Sequence, residues 1–373
     1  MGNEAVRLAF IKKRFFIHGG AERYLQTLIR ELIKLGHEIH VFANQWSDEE
    51  GIIFHKVDII PFTSFLSTFT FNRNSRFKIQ DSRFDCIISF ERTTHQDIYR
   101  AGEGCHAEWL RIRSGFEPLY KKVTFKINPL HLLLLHLEKR IFRDTRLIIA
   151  NSKMVKEQII KHYGVPDDKI ITIYNGVDLE RFNPGNREPW RHSVRDSLGI
   201  SEESMVLLFV GSGFERKGLG TLIKALPLIK ADTKVLILGK GKVYKYMALA
   251  KRLGVSERIL FLGAQSEIER FYVAADLFVL PTLYDPFSNA TLEAMASGLP
   301  VITTNNNGAA EIIDNRKEGY VIESLSDHEE LADKINLTLS NLAEMGEAAR
   351  KKAEGFSIER AAEEFIKTIE GKA

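Results

Sequence analysis

Cysteine is scarce: Cys86 and Cys105 are the only two in 373 residues. Two thiols cannot build a disulfide framework or a four-ligand zinc site, so a reducing cytoplasm is the expected setting. Long apolar runs are missing too. The longest leucine run, Leu132–Leu135, lies between His131 and His136, far short of the ~20 apolar residues a spanning helix needs. An integral membrane protein is not expected. No charged-then-apolar-then-small signal segment opens the chain, and Val6 stands where a myristoylation site wants Ser or Thr. The net charge is only +3, too small to demand a nucleic-acid partner. Neither an internal repeat nor a low-complexity tract is present. With no Asp-x-Asp triplet and no histidine cluster, the expected chemistry needs no metal and no other cofactor.

What is present is the balance of a soluble globular chain, 44% apolar and 27% charged. At roughly 150 residues per domain the length suggests two domains. The charge is uneven: residues 1–185 hold 28 Lys/Arg and 22 Asp/Glu, whereas residues 186–373 hold 24 and 27. Much of the N-terminal excess falls in Trp109–Arg143, where eight basic residues meet only Glu117 and Glu138. Trp109, Phe116, Tyr120, Phe125 and several leucines are interleaved with them. That composition suits a surface lying on an anionic membrane, and it equally suits a helical hairpin with a core side and solvated lysines.

Short apolar runs alternate with helical patterns. Val6–Phe10, Ile39–Phe42, Cys86–Ser89 and Leu147–Ala150 read as strands, and Ala21–Leu35 as a helix closed by Gly36. Around Asn175–Trp190 the chain turns polar, with Asn175-Gly176, Pro184-Gly185 and Pro189 as turn signals. The rhythm then restarts. Met205–Val210, Val235–Leu238, Ile259–Leu262, Leu277–Leu280 and Val301–Thr303 read as strands separated by helices. Ser326 and Glu329 form a capping box. These patterns predict an α/β chain of two doubly wound Rossmann-like domains facing across a cleft. The expected divisions are 1–185, 186–356 and a C-terminal helix, 357–373, that returns to the first domain.

Four segments carry chemistry. Gly19-Gly20, between the first strand and first helix, lets backbone approach a phosphate at a helix N-terminus. Gly211-Ser212-Gly213-Phe214-Glu215-Arg216-Lys217-Gly218 repeats the device with two cations suited to a diphosphate, a fork of donors and a point charge. In Asp285-Pro286-Phe287-Ser288-Asn289 the backbone N–H groups near Ser288 and Asn289 are expected to face a phosphate. Asp285 and Glu293, with seven residues between them, could grip hydroxyls. The apolar neighbours of Glu293 predict its burial and the need for a partner. Lastly, Glu91–Glu108 carries His95, Glu103 and His106 at the end of N-terminal strands.

Gly211…Lys217-Gly218, Ala275-Asp276-Leu277, Asp285…Glu293-Ala294-Met295-Ala296-Ser297-Gly298-Leu299-Pro300-Val301-Ile302, Asn175-Gly176-Val177-Asp178 and Gly308-Ala309-Ala310-Glu311-Ile312-Ile313 together resemble the retaining GT-B glycosyltransferases of family 4. The likeness covers essentially the whole chain and is nearest to the lipopolysaccharide core glucosyltransferase I group. It implies the GT-B fold and transfer of a hexose, glucose from UDP-glucose, to a lipopolysaccharide-core or other saccharide or lipid-linked acceptor. The setting it implies is the cytoplasm, at the inner membrane face. Arg216, Lys217, Asp285 and Glu103 take catalytic positions by this resemblance. Gly19, Gly20, Gly211, Phe287, Ser288, Asn289 and Glu293 fall on the donor side, and His95 and His106 on the acceptor side. Three positions depart from it: Ser212 replaces a common Arg, Asp285 a common Glu, and Ser288 a common Gly. The alternative is a nucleotide-sugar-binding protein with little catalysis, or a transferase acting on another polysaccharide or glycolipid.

Overall fold

The structure, a computed structural model, describes residues 5–14, 20–46, 49–80, 83–118, 125, 127–323 and 327–371. The chain divides into two units, Met1–Tyr174 with Glu359–Ala373, and Asn175–Ile358. The division precedes Pro184-Gly185 because the polar segment from Asn175 is bound into the second unit. Asn175 Nδ2 donates to Asn289 Oδ1 at 2.6 Å, Arg181 pairs with Glu269 at 2.8 Å, and Arg350 Nη1 donates to the Phe182 carbonyl at 2.9 Å. The turn signals mark a loop of that unit.

The first unit is built on strands β1 (Arg7–Ile11), β2 (Glu38–Ala43), β3 (Ile52–Lys56), β4 (Cys86–Ser89), β5 (Ile98–Ala101), β6 (Leu147–Ala150) and β7 (Ile170–Thr172), in the order β3-β2-β1-β4-β5-β6-β7. Every pairing is parallel, Leu8 facing Ile39 on one side and Cys86 on the other. Parallel strands need crossovers. Helices Gly20–Lys34, Ser64–Gln80, His106–Phe116 with Pro129–Asp144, and Lys153–Tyr163 supply those after β1, β3, β5 and β6, loops join β2 to β3 and β4 to β5, and Ile358–Glu370 follows near the C-terminus. Local chemistry sets the boundaries. Asn128 caps the helix that Pro129 begins, Ser152 caps the next, and Gly164, at φ 64°, ends it.

The second unit pairs β8 (Met205–Val210), β9 (Thr233–Leu238), β10 (Ile259–Gly263), β11 (Leu277–Leu280), β12 (Val301–Thr304) and β13 (Gly319–Ile322) in the parallel order β10-β9-β8-β11-β12-β13. Val206, Leu207, Leu208 and Phe209 have no exposed surface, as expected of strands covered on both faces. The expected capping box is not what starts the helix His328–Leu339. Ser326 lies outside the described residues, and Asp327 caps the helix, accepting from the N–H groups of Glu329 and Glu330. Among the described residues no helix is long and apolar enough to cross a membrane.

A buried carboxylate anchors helix Arg187–Ser197 to this second sheet. Asp276 accepts from Arg195 at 2.7 Å, from Arg191 at 2.8 Å and from the Val206 N–H at 2.8 Å. Arg195, 1% exposed, also donates to four carbonyls, those of Ala274, Ser201, Glu202 and Ser204. Removing one member of a buried ionic cluster strands the others. Asp276→Ala should therefore cost about 3–5 kcal/mol. Urea unfolding followed by circular dichroism reads this, and an unchanged midpoint would show the cluster to be dispensable.

Candidate functional site

In an open parallel sheet, the loops leaving two neighbouring strands in opposite directions open a crevice at their carboxyl ends. In the second unit those strands are β8 and β11, followed by Gly211–Gly218 and Pro281–Ser288. The loops are stitched together by backbone. Leu283 N and Thr282 Oγ1 both donate to the Arg216 carbonyl, at 2.7 and 3.0 Å, and Arg216 Nη1 donates to the Tyr284 carbonyl at 2.8 Å. Gly218 lies at φ 77°, and a Cβ there would sit 1.8 Å from the Pro281 carbonyl oxygen. Only glycine permits that approach.

This stitching brings Lys217 onto Asp285. Both side chains are buried, and the Lys217 ammonium is ion-paired with the Asp285 carboxylate. Burial lowers the Lys217 pKa from its ordinary value, and the Asp285 charge opposes that shift only in part. The Lys217 stem crosses Gly211, where a Cβ would meet its carbons at 3.1–3.2 Å. Ser212 is exposed, and its hydroxyl accepts from Lys240 N at 3.1 Å.

Beyond Asp285 one expectation needs correction. The Ser288 N–H does not face outward: it donates to Asn307 Oδ1 at 3.1 Å, and the Ser288 hydroxyl caps helix Asn289–Ala296 by accepting from Thr291 N. The Phe287 side chain is buried, and Asn289 bonds Asn175. Asn307, missed by sequence reading, also accepts from Ala309 N and donates to Thr291 and Thr303 hydroxyls. All of its amide capacity is thereby engaged. Its signal was the Asn-Gly turn before Ala309. Glu293 is half-buried, and its carboxylate accepts from the Tyr272 hydroxyl at 2.7 Å. Tyr272 carried no local motif.

In the first unit the diverging strands are β1 and β4. Gly19 lies outside the described residues, and Gly20 opens the first helix. Here Lys12 reaches Glu103 at 3.3 Å and Glu91 at 3.7 Å, and Arg92 reaches Glu103 at 2.5 Å and Glu138 at 3.1 Å. Glu138, with no exposed surface, also accepts from the His106 N–H at 2.7 Å and the Tyr163 hydroxyl at 2.6 Å. Of these carboxylates Glu103 is the outward one, its side chain 40% exposed. Burial works to raise Glu103, but Lys12 and Arg92 outweigh it and hold the carboxyl at about 2. The His106 ring is buried against His131, at 3.1 Å, and burial together with Arg92 pushes it down to about 3. It is neutral near pH 7 and contributes through its backbone. His95 is half-buried in the loop after β4.

The basic stretch Trp109–Arg143 is partly neutralised locally. Arg111 pairs with Glu108, Arg113 with Glu117 and Arg143 with Asp144. Tyr120, Lys121, Lys122 and Lys126 lie outside the described residues. Phe116, Ile127 and Leu132 are exposed, whereas Leu137, Ile141 and Phe142 are core.

Residues 18–181 match the family model Glycosyltransferase Family 4, and residues 191–354 match Glycosyl transferases group 1. The chain is 25% identical to the lipopolysaccharide glucosyltransferase WaaG of Escherichia coli over 346 residues, 89% of each chain. It is 27% identical to an uncharacterized glycosyltransferase of Methanocaldococcus jannaschii over 322 residues, 81% of each. A crystal structure of WaaG, a glycosyltransferase involved in lipopolysaccharide biosynthesis, superposes with a TM-score of 0.84 at 23% identity, covering 97% of this chain and 99% of that one. Anabaena HepE in complex with UDP and glucose superposes at 0.75 with 19% identity, covering 98% and 100%.

Asn307→Ala should destabilise the second unit by about 1–3 kcal/mol for each buried donor left without a partner. A lowered thermal midpoint is the expected reading. A midpoint equal to that of the native chain would mean that Asn307 does not hold the loop.

Proposed function

Because this chain belongs to the glycosyltransferases, with a family 4 domain followed by a group 1 domain, we propose that it moves glucose from UDP-glucose to a cell-envelope saccharide or lipid-linked saccharide, retaining the anomeric configuration. The observation that carries the donor side is the buried Lys217–Asp285 pair at the β8/β11 crevice. An empty site keeps the ammonium neutralised by Asp285. A diphosphate adds a second anion beside Lys217, favours its charged form, and frees Asp285 to accept from a sugar hydroxyl.

In this reading Arg216 and Lys217 stabilise the charge that develops on the departing diphosphate, with no metal ion assigned to that task. Glu293, oriented by Tyr272, accepts from ribose hydroxyls. Glu103 receives hydroxyls of the acceptor. A carboxyl held at about 2 is a poor general base near pH 7. The acceptor proton is accordingly given to the leaving phosphate oxygen as the sugar–phosphate bond breaks and the new glycosidic bond forms on the same face. The stretch Trp109–Arg143 would lie toward the inner face of the membrane that carries such an acceptor.

Lys217→Ala should lower kcat by about 10²–10³, with the fold intact by circular dichroism; near-native turnover would displace the donor site from this crevice. Tyr272→Phe keeps the ring and removes the hydroxyl. It should raise KM for the nucleotide-sugar about fivefold, the equivalent of one hydrogen bond of about 1 kcal/mol, and leave KM for the acceptor unchanged. Equal changes in both constants would refute the ribose assignment. Glu103→Gln should do the reverse, raising the acceptor KM without shifting the pH profile between pH 5 and 8, since Glu103 does not titrate there. An acidic limb that vanishes in Glu103→Gln would restore it as a base.

A further inference from the structure

Glycines on both sides ordinarily leave a side chain's backbone free to swing. Glu103, between Gly102 and Gly104, is instead held from several directions. The Gly102 carbonyl accepts from Asn151 Nδ2 at 3.2 Å, and the Gly104 carbonyl from Arg92 Nη2 at 3.3 Å. Arg92 Nη1 donates to Glu103 Oε2 at 2.5 Å, and Lys12 donates to Oε1 at 3.3 Å. Arg92 thus grips the carboxylate and the backbone of one turn at once. A guanidinium fork can do this and the point charge of a lysine cannot. Each Glu103 oxygen keeps accepting capacity beyond these contacts, and the side chain is 40% exposed. It can take a hydroxyl without giving up its anchors.

What aims Arg92 lies behind it. Its third nitrogen, Nε, donates to Glu138 Oε1 at 3.1 Å. Glu138 stands on helix Pro129–Asp144 beside the core residues Leu137, Ile141 and Phe142, with no exposed surface of its own. Its oxygens also accept from the His106 N–H at 2.7 Å and from the Tyr163 hydroxyl at 2.6 Å. Tyr163 ends helix Lys153–Tyr163. Two loops, after β4 and β5, and two helices therefore meet on one guanidinium. A wholly buried carboxylate is weak ground for stability, because well-packed apolar residues serve such positions as well or better. A buried network with every member bonded does hold a single geometry. The member of this network most open to solvent is Glu103. We propose that Glu138, braced by Tyr163, is a positioning residue that sets the Arg92 fork and, through it, the aim of Glu103 at the acceptor hydroxyl. This rests on the reading of Glu103 as the residue that receives the acceptor, and adds the groups that fix where its carboxylate points.

The test compares the full native chain with Glu103→Gln, Glu138→Gln, Arg92→Lys, Tyr163→Phe and the double variant Glu103→Gln/Glu138→Gln. UDP-glucose is the donor and a delipidated lipopolysaccharide-core saccharide the acceptor. Glu138→Gln and Arg92→Lys should each raise the acceptor KM about tenfold, the loss expected of one misdirected hydrogen bond to a charged group. KM for UDP-glucose should stay unchanged. A merely structural role would reduce the active fraction, scaling kcat and moving neither KM. In the Glu103→Gln background, Glu138→Gln should add little; full additivity would mean that Glu138 acts by another route, and overturns the proposal. Where Glu138→Gln fails to fold, Tyr163→Phe removes only the hydroxyl behind it, and should shift the acceptor KM in the same direction and by less. A crystal structure of Arg92→Lys supplies a readout that needs no acceptor. It should show the Glu103 carboxylate in more than one orientation, and a single native orientation overturns the proposal. A silent Glu103→Gln refutes the acceptor reading itself. A strong effect of Glu103→Gln beside silent Glu138→Gln and Arg92→Lys leaves that reading standing and overturns the positioning role alone.

Discussion

Parallel strands cannot be joined by a tight hairpin; each must be followed by a crossover that returns the chain to the starting edge. In both units that constraint puts every strand's carboxyl end on the same edge of its sheet, and the reversal of winding parts two loops there. The chemistry-bearing residues collect where the constraint sends them. Lys217 and Asp285 stand on the loops after β8 and β11, and Lys12, Glu91 and Arg92 follow β1 and β4. The sheets make this possible at the cost of burying strands on both faces, which requires unbroken apolar runs and leaves polar work to the loops.

Those apolar runs made much of the fold readable. Cys86–Ser89, Leu147–Ala150, Met205–Val210 and Leu277–Leu280 stand where their composition predicts, since a strand covered on both faces has no polar position to blur it. Other elements left weaker traces. The strand Ile52–Lys56 is an edge strand with Ile53 and Phe54 exposed, so it lacks an inward-only pattern. Helix Ser64–Gln80 left a weak helical pattern because Ser67, Thr68 and Ser75 share its buried side with Phe71 and Ile79, while Phe69 and Phe77 lie on its open side. Glycine loops and paired cations were legible as motifs because their chemistry is local. Tyr272 and Asn307 were not, since Glu293 and the Ser288 N–H reach them only through the packing of segments distant in sequence. The N–H of Ser288 was misread for the same reason. Whether a backbone donor is free depends on what else folds against it.

Electrostatics in both units follows one economy. Charged groups are buried against groups of opposite sign: Asp276 among arginines, Glu138 with Arg92, Lys12 with Glu91 and Glu103, Lys217 with Asp285. Buried ions contribute little net stability but fix geometry firmly, because any displaced member leaves an uncompensated charge. The Asp276 cluster ties helix Arg187–Ser197 to the sheet and is structural. The Glu103 network differs in having one member open to solvent and the rest locked behind it, which presents a carboxylate of fixed charge and fixed aim.

On the proposed reading, the Lys217–Asp285 pair would also govern what the crevice ignores. A bare cationic pocket would collect any passing phosphate, and a cell offers many. Here the cation arrives already matched to a carboxylate of the same chain, so a simple anion must evict a buried acid and gains nothing for the group it strands. A molecule that brings a diphosphate for the lysine and a hydroxyl for the aspartate replaces both halves of the contact at once. Under that proposal discrimination would reside in the exchange itself, before any part of the ligand remote from the pair had been read.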